Sequence, residues 1–162
     1  MRAASCRGFV LLLAALLAGC GFHMRGAMAL PEGVRSVYVA APDLLSPFAV
    51  ELGRALERNG ASVAGSAAAA DAVIRVRNDR TGRRVLSVSA RNTPQEYELF
   101  YTIDYTIDRD GAEVMPLQRH ELTRSFTFDQ SRLLAKDREE NVLREAMARD
   151  LADLVLRRLE SL

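Results

Sequence analysis

The chain has 162 residues, and its 22 basic and 21 acidic side chains give a formal net charge of +1. A nucleic-acid-binding domain would carry a strong basic excess, so this composition argues against a nucleic-acid partner. The two cysteines, Cys6 and Cys20, both lie near the N-terminus, and the rest of the chain holds none that could form a disulfide. The length predicts one domain of ordinary size behind an N-terminal segment.

The first residues have the pattern of a secretory signal peptide, in which a basic head is followed by a short apolar run and small residues. The apolar run covers residues 9–17, and Leu17-Ala18-Gly19-Cys20 closes it. A transmembrane helix needs about 20 apolar residues, so the alternative of a membrane-spanning anchor is disfavoured. The cysteine at the exit makes this segment resemble the lipobox of bacterial lipoproteins.

The lipobox resemblance implies a signal peptide at 1–19. Residues 20–35 contain glycine and proline without periodicity, which predicts a lipid-anchored tether in front of a folded domain at 36–162. It also implies that Cys20 carries a diacylglyceryl group on its thiol and an acyl chain on its amine, and we expect no other cofactor. Two or more such chains anchor a protein durably. Removing residues 1–19 lowers the basic count from 22 to 20 and leaves 21 acids, so the mature chain is near neutral.

The start of the domain predicts a strand followed by a helix. Residues 34–40 are rich in β-branched side chains, which is typical of a strand. Ser46-Pro47 is typical of a helix start and Asn59-Gly60 of a helix end, so we expect a helix over about 47–58.

The region after this helix predicts extended chain. Residues 66–70 are expected to form a loop or an irregular helical turn. Residues 72–91 alternate between apolar and polar side chains, as in a strand, but 79–82 interrupts the alternation. Two interpretations stay open: one long strand with a glycine bulge, or two strands joined by a tight turn.

The second half predicts a hairpin and a long helix. Residues 97–108 alternate regularly, which indicates a strand with one buried face, and Asp110-Gly111 is typical of a hairpin turn. The return strand ends with Leu122, Arg124, Phe126 and Phe128 in one phase. Asp129 can cap a last helix, whose apolar stripe is formed by Leu143, Met147, Leu151, Leu154, Val155 and Leu159.

The predicted order is β-α-β-β-β-α, which favours an α+β fold. We expect a two-layer sandwich in which two helices pack on one face of a four-stranded mixed sheet.

No catalytic or metal-binding constellation is apparent, so we expect no enzyme activity and no metal. The chain has two histidines, which argues against a histidine-based metal cluster or catalytic relay. Asp104 and Asp108 would lie about 13 Å apart on a wet strand face, too far apart to act together on one bond. The tyrosine ladder at 97, 101 and 105 could be a stacking platform, but its phase favours a core role.

Arginines are concentrated in the region 72–91, at positions 75, 77, 80, 83, 84 and 91. They are expected either to form a solvated face that protects an edge strand or to contact an anionic partner. Composition alone favours the solvated face.

Three stretches change this balance, because together they resemble the LPS-assembly lipoprotein LptE family. The first is Cys20-Gly21-Phe22-His23-Met24-Arg25. The second is a hairpin with Arg91-Asn92 and Glu96-Tyr97, and the third combines Arg124-Ser125-Phe126, Leu134-Ala135-Lys136-Asp137, Glu140 and Glu145-Ala146-Met147. The resemblance covers essentially the whole mature chain.

The resemblance implies an outer-membrane lipoprotein that binds lipopolysaccharide and acts as plug and assembly partner of the LptD β-barrel. It implies lipopolysaccharide contacts at Arg91 and Lys136, and it favours a single strand over 72–91. Gly21 follows the lipidated cysteine, which points to the outer membrane. The runner-up function is an auxiliary lipoprotein of an ABC-type lipid-trafficking system.

Topology adds one expectation about these two cations. A right-handed β-α-β crossover makes the first two predicted strands, over 34–40 and 72–91, parallel. If 72–91 is one strand, the hairpin that carries Arg91 and the return to Lys136 lie at the same end of the domain. The tether enters at the opposite end.

Overall fold

A computed structural model describes residues 30–127 and 133–162, with side chains from residue 137 onward in the second range. The signal peptide, Cys20, Phe128 and Asp129 lie outside the described residues. The elements are β1 (Ser36–Ala40), α1 (Pro47–Arg58), β2 (Ser62–Val63), a 3-10 turn (Ala67–Ala69), β3 (Ala72–Val88), β4 (Pro94–Arg109), β5 (Ala112–Thr127) and α2 (Leu133–Glu160). The 3-10 turn falls where an irregular helical turn was expected.

The described strands form one sheet in the order β2-β1-β3-β4-β5, with both helices on one face. β1 is parallel to β3, and β3, β4 and β5 form an antiparallel meander. This confirms the α+β class and the crossover between β1 and β3.

The sheet has five strands rather than the four predicted, because β2 joins its edge. β2 is only two residues long, and Ser62 N donates to the Arg35 carbonyl at 2.8 Å. Two residues are too few to produce an alternating pattern in a sequence.

Helix α1 has the predicted bounds, and its ends explain them. The Ser46 hydroxyl accepts a hydrogen bond from Ala49 N at 3.1 Å, Pro47 occupies the first turn, and Asn59 is the C-cap. The helix buries one face against the sheet, with Phe48, Leu52, Ala55 and Leu56 all inaccessible to solvent.

β3 is one continuous strand, so the alternative of two strands is wrong. The register irregularities fall between 76 and 78 and between 85 and 88, which differs from the predicted bulge at the glycine. Gly82 instead makes room for the Phe100 ring from the neighbouring strand, since a Cβ there would lie 2.6 Å from Phe100 Cζ.

The core lies between the inner face of β4 and the two helices. Tyr101 and Tyr105 are fully buried in it, which confirms the core interpretation of the tyrosine ladder. Positive φ angles at Asp110 (53°) and Gly111 (78°) confirm the predicted hairpin turn. Helix α2 contributes Met147, Ala148, Leu151, Ala152, Val155, Leu156 and Leu159 to this core.

Candidate functional site

The β3–β4 hairpin forms the end of the sheet opposite the point where β1 begins. Its turn, residues 89–93, is held by Ser89. Ser89 N donates to the Thr93 carbonyl at 2.8 Å, and the Ser89 hydroxyl accepts from Arg91 N at 3.2 Å. Asn92 adopts a φ of 58°, in the left-handed region that asparagine tolerates. The backbone that carries Arg91 is therefore fixed by hydrogen bonds within the turn.

The Arg91 side chain is exposed, and no carboxylate among the described residues lies within 4.0 Å of it. Three other arginines of this region differ in this respect. Arg75 pairs with Asp108, Arg83 with Glu140, and Arg84 with Glu98. Within the described residues, three of the six arginines of this region thus have a carboxylate partner, whereas Arg77, Arg80 and Arg91 are exposed and have none. Of these three, Arg91 is the one that lies at the hairpin tip.

Lys136 lies in the first turn of α2, and its side chain is outside the described residues. The backbone gives its general position, because Thr127 at the end of β5 is in register with Glu96, two residues into β4. β5 therefore ends near the hairpin, and α2 begins six residues later. A joint role for Arg91 and Lys136 stays a prediction.

A buried carboxylate in the second turn of α2 joins this helix to β3. Glu140 is 6% exposed, and its Oε2 accepts from Arg83 Nη1 at 3.0 Å while its Oε1 accepts from Arg144. The Arg83 guanidinium lies 5.1 Å from the centre of the Tyr97 ring, and Tyr97 stacks on Phe126. In the sequence, Glu140 stands out only within the stretch that resembles the LptE family and through its i, i+4 spacing to Arg144.

The outer face of the sheet offers a second candidate, a cavity of about 640 Å³. Its lining residues are Asn78, Arg80, Arg84, Phe100, Thr102, Asp104, Arg119 and Glu121. Arg119 donates twice to Asp104, with both distances 2.7 Å, and these hydrogen bonds lower the pKa of the Asp104 carboxyl. Arg84 contacts Glu98 and Glu121. Because its charges largely neutralise one another, the cavity is a poor site for an anion.

The aspartates of β4 do not form the wet face that the sequence predicted. Asp104 is 6% exposed and covered by Arg119, and Asp108 is paired with Arg75. Within the described ranges, no three histidine, cysteine, aspartate or glutamate side chains are grouped in a way that could hold a metal ion. Over those same ranges, no helix has the length and hydropathy needed to cross a membrane.

Curated relatives are similar to nearly the whole chain. The LPS-assembly lipoprotein LptE of Photorhabdus laumondii is 26% identical over 142 residues, which cover 88% of this chain and 78% of the relative. The protein of the same name from Pectobacterium atrosepticum is 27% identical over 152 residues, covering 93% and 82%.

Solved structures share the fold. Uncharacterized lipoprotein B from Nitrosomonas europaea superposes with a TM-score of 0.73 at 30% identity, over 87% of this chain and 91% of its own. Rare lipoprotein B from Shewanella oneidensis gives a TM-score of 0.67 at 25% identity, over 78% and 94%. The family model described as LptE, Lipopolysaccharide-assembly, matches residues 34–159. The chain therefore belongs to the LptE family of lipopolysaccharide-assembly proteins.

Proposed function

We propose that this chain is an outer-membrane lipoprotein that binds lipopolysaccharide and acts as plug and assembly partner of the LptD β-barrel. Membership of the LptE family supports a role in lipopolysaccharide assembly, and the chain is not an enzyme. In this proposal Cys20 carries the lipid anchor, the domain lies on the periplasmic side and inside the barrel, and Arg91 and Lys136 contact lipopolysaccharide.

The main support for the proposed lipopolysaccharide site is that Arg91 is exposed on a hydrogen-bonded turn and that no carboxylate of the described residues pairs with it. A guanidinium binds phosphate or carboxylate oxygens in a bidentate manner, and lysine adds a second positive charge. Lipopolysaccharide presents such anionic groups. An unpaired cation on a fixed backbone is suited to this task, because binding breaks no ion pair among the described residues.

The position of the hairpin supports an orientation relative to the anchor. β1 begins at Ser36, beside Ala72 at the start of β3, whereas Arg91 follows the other end of β3. The 17 residues of β3 span roughly 50 Å at about 3.3 Å per residue. The point where the chain enters the sheet after the tether and a ligand at Arg91 would therefore lie at opposite ends of the domain.

Charge reversal in the full lipidated protein tests the binding site. We expect Arg91→Asp together with Lys136→Asp to weaken lipopolysaccharide binding by about tenfold or more, since two favourable charge contacts become repulsive. The matched control is Arg77→Asp with Arg157→Asp. This control changes the net charge by the same amount, but its two residues lie on β3 and α2 toward the other end of the domain. We expect it to change the lipopolysaccharide affinity by less than about twofold. Unchanged affinity in the folded Arg91/Lys136 variant would contradict the proposal.

Copurification tests the partner. Affinity-tagged protein extracted from outer membranes in mild detergent should bring LptD with it, and replacing Cys20 with Ala should abolish incorporation of labelled fatty acid. Recovery of the lipidated protein only as a free monomer would count against the plug role.

A further inference from the structure

We infer that Glu140 is a positioning residue for lipopolysaccharide binding, because it fixes the start of α2, which carries Lys136, against the strand that leads to Arg91. The inference rests on the proposed function, and it concerns a residue that contacts no ligand itself.

The geometry around Glu140 is that of a two-sided clamp. Each carboxylate oxygen has its own arginine, with Arg83 on β3 donating to Oε2 and Arg144 on α2 donating to Oε1. The Glu140 side chain is 8% exposed, so water screens these contacts weakly. The hydrogen bonds between a buried carboxylate and two guanidinium groups are stronger than the interaction within an exposed ion pair.

The clamp connects the two elements that lead to the predicted ligand contacts, α2 with Lys136 and the hairpin arm with Arg91. Glu140 follows Lys136 by four residues, one helical turn or about 6 Å along the axis. Arg83 precedes Arg91 by eight residues on the same hairpin arm. Arg83 also stacks over Tyr97, which stacks on Phe126, so the clamp joins α2 to all three strands that reach this end.

Removing the charge of Glu140 would leave Arg83 and Arg144 facing each other without their shared anion. Their repulsion should loosen the first turns of α2 from β3 while the apolar stripe farther along α2 stays packed. The chain offers a matched control on the same helix. Asp150 pairs with Arg124 of β5 at 3.0 Å, but both side chains are about half exposed and lie far from Lys136 in sequence.

A double-mutant cycle on lipopolysaccharide affinity separates positioning from general stability. We expect Glu140→Gln to weaken binding about fivefold in the full-length protein but less than about twofold when Lys136→Gln is already present. Asp150→Asn should leave the affinity unchanged. Equal losses in both backgrounds, or no loss, would overturn the inference. If Glu140→Gln fails to fold, Arg83→Gln removes the same contact from an exposed position and should give the same pattern.

Hydrogen exchange on the same proteins supplies a readout independent of the ligand. Amides in residues 133–139 should exchange faster in Glu140→Gln and at the wild-type rate in Asp150→Asn. An unchanged exchange rate of these amides in Glu140→Gln would overturn the inference about Glu140 and leave the proposed binding site untouched. Unchanged lipopolysaccharide affinity in Lys136→Gln would instead overturn the proposed binding site.

Discussion

The hydroxyl of Tyr101 should stabilise the fold far more than that of Tyr105, although both side chains are fully buried. Tyr101 Oη accepts a hydrogen bond from Phe48 N at 3.1 Å, in the first turn of α1. The Tyr101 hydroxyl also contacts the Asp79 carboxylate. Burial, as the larger cause, and the negative charge of Asp79, as the smaller one, raise the pKa of Tyr101 above its ordinary value, so the hydroxyl stays protonated. Tyr105 Oη has a long contact of 3.5 Å to His120 Nε2.

Tyr101→Phe therefore leaves a buried backbone N–H without its acceptor. A group left in this state costs about 1–3 kcal/mol, whereas loss of a long, weak contact costs well under 1 kcal/mol. For a domain of this size, each kcal/mol lowers the melting temperature by about 3–6 °C. We expect Tyr101→Phe to lower it by about 3–18 °C and Tyr105→Phe by about 3 °C or less.

Denaturant unfolding and thermal melts measure the free energy of unfolding and the melting temperature of the two variants, and circular dichroism confirms that each variant folds. The two substitutions are chemically identical and equally buried, so they share the packing change. Equal losses of unfolding free energy in the two variants would refute the reasoning, because the expected difference comes from the contacts of the Tyr101 hydroxyl with Phe48 N and Asp79.

Two further predictions concern the sheet. Burial and, to a lesser extent, the positive charge of Arg158 lower the pKa of His120 below its ordinary value. Because the folded protein binds this proton less readily than the unfolded chain does, the contribution of His120 to the free energy of unfolding should be full above about pH 6.5 and should fall as the pH drops below that value. Unfolding at pH 7 and pH 5 should show a smaller loss in His120→Gln than in wild type, and equal losses would contradict this. Phe100→Ala should cost at least about 0.5 kcal/mol less in a Gly82→Ala background than alone, because the ring covers the glycine; additive effects would argue against that contact.

Elements whose signals are local were predictable from the sequence. Helix α1 has its cap residues and apolar face within 14 residues, and the structure gives it the predicted bounds. β4 shows its alternation in a single stretch, and Asp110-Gly111 encodes its turn. β2 was missed because its two residues join the sheet through contacts with β1, which no local pattern reveals.

The candidate site was predictable only in part, for the same reason. The family resemblance pointed to Arg91, and the structure shows it exposed on an ordered turn. Composition could not separate it from the arginines that have carboxylate partners, because those partners are distant in sequence. Arg83 and Glu140 are 57 residues apart, and only the packing of α2 on the sheet brings them together.

Photocrosslinking in living cells tests the central claim most directly. A photoreactive amino acid at Ala90, next to Arg91 on the exposed turn, should crosslink to lipopolysaccharide, whereas the same residue at Arg77, toward the other end of β3, should not. Lipopolysaccharide is detected by immunoblotting of the purified, tagged protein. A crosslink at position 90 but not at 77 is the predicted result. Crosslinks at both positions, or at 77 alone, would contradict a binding site at the hairpin end.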